Sequence, residues 1–202
     1  MKLIESSEHN VIDIIKYILP DYAVKIMDAK HNLFKWKGLD LVKDPMTLTI
    51  YMQLIQNIKP KTIIELGTGH GGSTLFFRDM CKALDLKTKI LTFDCESVDE
   101  FPGVKFFKHD LNNLDTLKFD KCVSPMLVFE DCHVNMLGIA EKFSEVLNEN
   151  DYLVIEDTID PEKYRIFNSI DWKALGFVRD DYYCDFWGRN NSWNYDSILR
   201  KV

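Results

Sequence analysis

No stretch of this chain is apolar for the roughly 20 residues that a membrane helix needs, so no membrane segment is expected. The 202 residues carry a formal net charge of -7. That acidic balance argues against a nucleic-acid partner bound through a large basic face. The five cysteines, Cys81, Cys95, Cys122, Cys132 and Cys184, are scattered and form no C-x-x-C pair. Neither a zinc framework nor a disulfide scaffold is indicated, and reduced thiols in a cytoplasmic protein are expected. The opening "MKLIESSEHN" has no long apolar run after its lysine, so it does not read as a secretory signal. Internal repeats and low-complexity linkers are also missing. What remains is an ordinary globular composition, 46% hydrophobic, in a chain long enough for one domain with a small appendage.

The pattern that is present changes along the chain. Residues 8 to 19 place Val11, Ile12, Ile15, Ile18 and Leu19 at helical spacing, and Pro20 ends the run. This lead-in, residues 1–44, is expected to dock on a main domain of residues 45–202. A helix outside the core could also mediate a homo-oligomer. Asp44 followed by Pro45 is a helix start, a capping carboxylate and then a first-turn proline. Leu48, Tyr51, Met52, Ile55 and Ile58 mark one face of that helix, and Pro60 stops it.

Short apolar runs then alternate with helical stretches. Strands are expected at Thr62–Leu66, Ile90–Phe93, Val104–Phe107, Met126–Phe129 and Tyr152–Ile155. Helices are expected at Ser73–Leu84, Val134–Leu147 and Glu162–Leu175, with a short helix or turn between Leu111 and Leu117. This order predicts an α/β fold, a doubly wound, mostly parallel sheet covered on both faces. In the tail, "FVRDDYYCDFWG" and "YDSILRKV" flank "RNNSW", which predicts an antiparallel strand pair at the end of the sheet.

Ligands of open parallel sheets sit at the carboxyl ends of the strands, and every predicted strand here ends in an acid: Glu65, Asp94, Asp110, Glu130–Asp131 and Glu156–Asp157. The loop "GTGHGG" satisfies G-x-G-x-x-G, and Asp94 follows at the distance of a ribose-binding acid. A dinucleotide and an S-adenosyl ligand both carry such a ribose. Glu65, beside the loop, would repel a pyrophosphate and suit a ligand with a cationic group, although it could also cap backbone amides. Asp110 either accepts from an adenine amino group or caps the turn at Leu111. Adjacent carboxylates are costly to bring together without a positive partner, and a hard cation is the usual one. Asp131 could alternatively cap the next helix, and Asp160 reads as the cap of the helix at Pro161. His133 is a candidate general base, His70 a filler around the loop, and Trp187 and Trp193 candidate walls of a substrate pocket.

With these residues in place, the sequence resembles the class I S-adenosylmethionine-dependent methyltransferases, and within them the cephalosporin hydroxylase family, which includes small-molecule O-methyltransferases. The resemblance rests on Trp36-Lys37-Gly38, Lys43-Asp44-Pro45, the run from Pro60 through Glu65, Gly67, Gly71, Gly72 and Ser73, the segment Glu130-Asp131-Cys132-His133, and the pair Glu156-Asp157. It implies a Rossmann-like methyltransferase sheet with S-adenosylmethionine held by Glu65, Gly67, Thr68, Gly69, Gly71, Gly72, Ser73, Asp94, Asp110 and Glu130. It implies Mg²⁺ or another divalent cation at Glu130, Asp131, Glu156 and Asp157, with His133 and Glu130 at the reacting end. The family has Asp where this chain has Glu130 and a small residue at Asp131, so either acid could reach the metal. The acceptor would be a hydroxyl of a small molecule or carbohydrate. A nicotinamide-dependent oxidoreductase with a minimal Rossmann domain, and a non-catalytic module on the same fold, are the alternatives.

Overall fold

The computed structural model describes residues 34–98, 101–119 and 121–202. The helix expected over residues 8–19 lies outside the described residues. Phe34–Val202 form one compact unit. It opens with an antiparallel hairpin, β1 (Phe34–Trp36) and β2 (Leu39–Leu41), with Phe34 opposite Leu41. Helix α1 (Pro45–Ile58) begins where the Asp-Pro pair predicts. Asp44 accepts from the amides of Met46 at 2.8 Å and Thr47 at 3.0 Å, satisfying two first-turn donors.

The remaining elements are β3 (Thr62–Leu66), α2 (Gly72–Ala83), β4 (Lys89–Asp94), β5 (Lys105–Lys108), β6 (Met126–Glu130), α3 (Met136–Val146), β7 (Tyr152–Ile155), α4 (Pro161–Ser169), β8 (Phe177–Arg179), α5 (Asp181–Cys184) and β9 (Ile198–Lys201). They build a seven-stranded sheet in the order β5-β4-β3-β6-β7-β9-β8. The first five strands in that order run parallel, and β9 is antiparallel to both β7 and β8. The fold class is therefore the one expected, including the antiparallel C-terminal pair. Among the described residues, no helix is long and apolar enough to cross a membrane.

Alternation along the strands divides the core between the two faces of the sheet. Ile63, Leu127, Phe129 and Val154 pack with Ile50, Tyr51, Leu54 and Ile55 of α1 and Phe76 and Phe77 of α2. Phe77 stacks on Phe129 with ring centroids 4.3 Å apart. Ile64, Leu66, Val128, Leu153 and Ile155 face Ile139, Ala140 and Phe143 of α3 and Phe167 of α4. Each of the valine, leucine, isoleucine and phenylalanine side chains contributes about 1.5–3 kcal/mol through burial.

Two local expectations are corrected. The helix expected to reach Leu175 ends at Ser169, because Ile170 turns to extended geometry and Asp171 accepts from the Ala174 amide to start a separate turn. Leu111–Leu117 forms turns, one of the two forms expected there, and its leucines are buried. In the tail, "FVR" is a strand, but Asp180 then caps the single helical turn α5 by accepting from the Tyr182 amide, so the pair is joined by a long excursion instead of a tight turn.

Candidate functional site

Register places the carboxyl ends of the central strands side by side: Leu66 lies opposite Glu130, and Glu130 opposite Ile155. The loops after β3, β4, β6 and β7 therefore leave from one edge. The loop after β3 is anchored to β4, since the Gly67 amide donates to the Phe93 carbonyl at 2.8 Å. Two of its glycines are required by the chain itself. A Cβ on Gly67 would stand 2.4 Å from the Asp131 carbonyl oxygen, and one on Gly72 would stand 2.1 Å from that of Asp40 in the hairpin. Asp94 closes the loop from the neighbouring strand, accepting from the Gly69 amide at 2.9 Å.

Glu65 is placed differently from the sequence expectation. It faces α2 and lies beneath the loop, 1% exposed. Its carboxylate accepts from the hydroxyls of Ser73 at 2.5 Å, Thr92 at 2.8 Å and Thr74. Burial raises its pKa to about 7 against the lowering effect of those three hydroxyls. It fastens the first turn of α2 to the sheet, and it does not line the cavity above.

That cavity, of about 270 Å³, is bounded by the loop from Gly67 to Ser73, with Thr68, Gly69, His70 and Gly71 along it, and by Asp94. Its other walls are His109–Asn112, the segment of Asp131, Cys132 and Val134, and Asp40, Val42 and Lys43. Asp110 is held there by an Asx-type turn, accepting from the Asn112 backbone and side-chain amides at 3.0 Å, which lowers its pKa.

The acids of the later strand ends do come together, and two buried lysines come with them. Lys43, 5% exposed, sets its Nζ 2.7 Å from Asp131 Oδ2 and 2.9 Å from Glu156 Oε2. Burial opposes its charge, but Glu156, Asp131 and Asp157 outweigh it and hold the ammonium well above its ordinary pKa. Lys163 of α4 sets its Nζ 2.9 Å from Glu130 Oε2, and Glu130 is fully buried. Glu130 also accepts from the His133 amide at 3.0 Å. Glu130 thus faces away from open space and is committed to α4 and to its own loop. Asp131 does not cap α3, whose N-cap is Asn135.

Asp157 has left strand geometry, with φ of 57°, so it and Glu156 need not point to opposite faces. Burial pushes the carboxyls of Glu156 and Asp157 upward, and Asp131 adds to both. Asn194 accepts from the Asp157 amide at 3.1 Å and donates to the Tyr51 hydroxyl at 2.6 Å. This ties the loop to the core.

The set can accommodate a divalent cation. Asp157 Oδ1 is buried and accepts no hydrogen bond, and Asp131, His133 and Asp157 bring donor atoms within 4.8 Å of one another. Buried carboxylate oxygens lacking a donor are the chemistry a hard cation satisfies.

The sequence reading missed Lys163 and underread Lys43. Lys43 stood in the Lys-x-Pro segment, read as a helix start when its ammonium is the counter-ion of two acids. Lys163 carried no signal beyond its place in the first turn after Asp160. The tryptophans sit near α1: Trp187 is exposed and donates to Thr49 at 2.8 Å, and the Trp193 amide donates to Asp44 at 3.2 Å.

Comparison with known proteins follows the same line. Residues 29–112 match the family model Rhamnosyl O-methyltransferase/CmcI. The rhamnosyl O-methyltransferase of Mycobacterium leprae is 24% identical over 140 residues, which are 63% of this chain and 61% of that protein. The chain thus spans less than two thirds of the length of that curated relative. Solved structures of CmcI, one without ligand and one with Mg and SAM, superpose with a TM-score of 0.71 at 24% identity, covering 89% of this chain and 83% and 84% of theirs. The family-model match, the curated relative and the shared fold bear out the resemblance to the Rhamnosyl O-methyltransferase/CmcI proteins, the cephalosporin hydroxylase family within the class I methyltransferases.

Proposed function

We propose that the protein transfers a methyl group from S-adenosylmethionine to a hydroxyl of a small molecule or sugar, with a divalent cation at the acid cluster. One observation carries this reading: a single cavity runs from the glycine loop and Asp94 to Asp131 and Lys43. A donor whose ribose meets Asp94 then has its other end directed toward the carboxylates. In this reading Asp94 accepts from the ribose hydroxyls while holding the Gly69 amide, and Asp110 accepts from the adenine amino group. The glycine loop lets the backbone approach the donor closely.

Asp131 and Asp157, backed by Glu156, are the residues that would hold the cation; Glu130 is taken up by Lys163. When bound, a divalent cation lowers the pKa of an oxygen it contacts. Lys43 orients the carboxyl groups of Asp131 and Glu156 through its contacts at 2.7 and 2.9 Å. Methyl transfer is an in-line displacement: the acceptor oxygen–carbon bond forms as the sulfur–carbon bond breaks, that electron pair returns to sulfur, and the hydroxyl proton passes to water. Orientation by the cavity supplies much of the rate. The relative's name makes a rhamnosyl hydroxyl the first acceptor to assay, and a cytoplasmic location fits a chain whose cysteines are scattered and form no C-x-x-C pair.

Calorimetry with S-adenosylhomocysteine tests the donor half. Micromolar binding is expected, weakened at least tenfold in Asp94→Ala, and no binding at millimolar ligand defeats the reading. Transfer of labelled methyl to a rhamnoside, abolished by chelation and restored by Mg²⁺, tests the rest.

A further inference from the structure

Helices α1, α4 and α5 each begin at an aspartate whose carboxylate accepts from a first-turn amide. Asn135 holds the same position at the start of α3, and asparagine is a favoured cap, yet its side chain makes no cap hydrogen bond. Its Nδ2 instead lies 3.4 Å from the carbonyl oxygens of both Leu111 and Asn112, in the loop after β5. That loop carries Asp110 along the wall of the cavity. Val134 lines the same cavity and Asn135, the next residue, does not. We infer that Asn135 clamps the loop bearing Asp110, in the space left by Gly138, and so sets how strongly the cavity prefers a ligand with an adenine amino group. The preference rests on the donor-binding reading given above; the clamp does not.

The residue type fits the task. Asn135 has φ of 48° and ψ of 41°, the left-handed region. Of the residues that enter this region readily, glycine, asparagine and aspartate, asparagine alone has a side-chain donor. Carbonyl oxygens only accept, so the amide must turn its NH₂ group toward Leu111 and Asn112. Leu111 and Met136, the first residue of α3, pack in one core cluster, which brings loop and helix start together.

Asn112 is thereby held from two sides. Its backbone and side-chain amides both donate to Asp110 Oδ1 at 3.0 Å, and its carbonyl faces Asn135. Both bonds fall on Oδ1, so Oδ2 is the oxygen left for a ligand. Gly138, in the first turn of α3, completes the arrangement. A Cβ there would stand 2.5 Å from Asn135 Oδ1 and 2.6 Å from Nδ2. Gly138 does not have a positive φ, and glycine is poorer than alanine inside a helix, so space for the amide is what calls for glycine. Asn135 is a positioning residue that acts on the donor through Asp110.

Calorimetry on the full chain with S-adenosylhomocysteine and with S-inosylhomocysteine, in which an oxo group replaces the adenine amino group, tests the inference. Asn135→Gly keeps the left-handed backbone and removes the amide. It is expected to weaken the adenosyl ligand about fivefold and to change the inosyl ligand by less than about twofold, the scale of one modest hydrogen bond. Gly138→Ala, which displaces the Asn135 side chain, is expected to do the same in the wild type and to add nothing in Asn135→Gly. Hydrogen exchange at the Asn112 amide, read by NMR without ligand, should quicken in both single variants while exchange within β6 stays unchanged. Equal weakening of the two ligands, additive effects of the two substitutions, or unchanged exchange at Asn112 overturns the inference. A wild type that binds neither ligand defeats the methyltransferase reading, and the exchange result then decides the clamp by itself.

Discussion

Replacing Lys43 by methionine keeps a long apolar stem and removes one ammonium from between two acids. In the wild type that ammonium lies 2.7 Å from Asp131 and 2.9 Å from Glu156, whose side chains are 18% and 2% exposed. Asp131 retains some water and the nearby His133; Glu156 retains almost nothing. Removing one partner of a buried ion pair costs about 3–5 kcal/mol, because the remaining charge stays buried and uncompensated. Most of that loss falls on Glu156. With a denaturant slope near 2 kcal/mol/M, the urea midpoint should fall by about 2 M.

The loss must also depend on pH, in a fixed direction. Burial already raises the folded-state pKa values of Glu156 and Asp157, and removing Lys43 raises them further. The native state then binds more protons than the unfolded chain between the two values, so stability returns as pH falls. Urea unfolding followed by tryptophan fluorescence, at about pH 8 and about pH 5.5, reads both effects. Glu156→Gln should recover more than half of the loss in the Lys43→Met background, because it removes the orphaned charge. A loss below about 1 kcal/mol at the higher pH, or an equal loss at both, would refute the assignment of Lys43 as counter-ion.

Three further substitutions probe other parts of the site. Glu65, with its pKa raised from 4.5 to about 7, makes the native state progressively less stable as pH rises through that window; Glu65→Gln should remove a contribution totalling about 3 kcal/mol, visible as a flatter dependence of the urea midpoint on pH. Gly72→Ala forces a Cβ to within 2.1 Å of the Asp40 carbonyl; the backbone must shift, costing about 1–3 kcal/mol and lowering the thermal midpoint by several degrees in a calorimetric scan. Asp157→Asn removes charge from a buried, unpartnered oxygen and should weaken Mg²⁺ binding by calorimetry at least tenfold, with S-adenosylhomocysteine affinity unchanged in metal-free buffer.

Sheet and cavity were legible in the sequence for different reasons. Doubly buried strands are contiguous apolar runs, so Thr62–Leu66 and Tyr152–Ile155 could be bounded from the residues alone. Boundaries failed where side chains intervened locally, as when Asp171 started a new turn and Asp180 capped α5. The strand-end acids could be found because topology sends every parallel strand's carboxyl end to one edge. Their charge compensation could not. Lys43 and Glu156 are joined only by the folded chain, and no local spacing announces such a pair. Glu65 was misread for a related reason: adjacency to the glycine loop in sequence does not reveal that the side chain faces α2, enclosed by Ser73, Thr74 and Thr92.

Close contacts at Gly67 and Gly72 also bear on how such a chain would drift once its activity was no longer selected. Both glycines answer to neighbouring backbone, at Asp131 and Asp40, and a descendant that bound nothing would still need them in order to fold. Gly69 has open space where its Cβ would stand, and Asp94 offers its carboxylate to the cavity. Neither position abuts neighbouring backbone as Gly67 and Gly72 do: Gly69 is constrained by its φ of 49° and Asp94 by the Gly69 and Glu96 amides it accepts from. A degenerate copy of this protein would therefore keep Gly67 and Gly72 longest, and Gly69 and Asp94 would change before them.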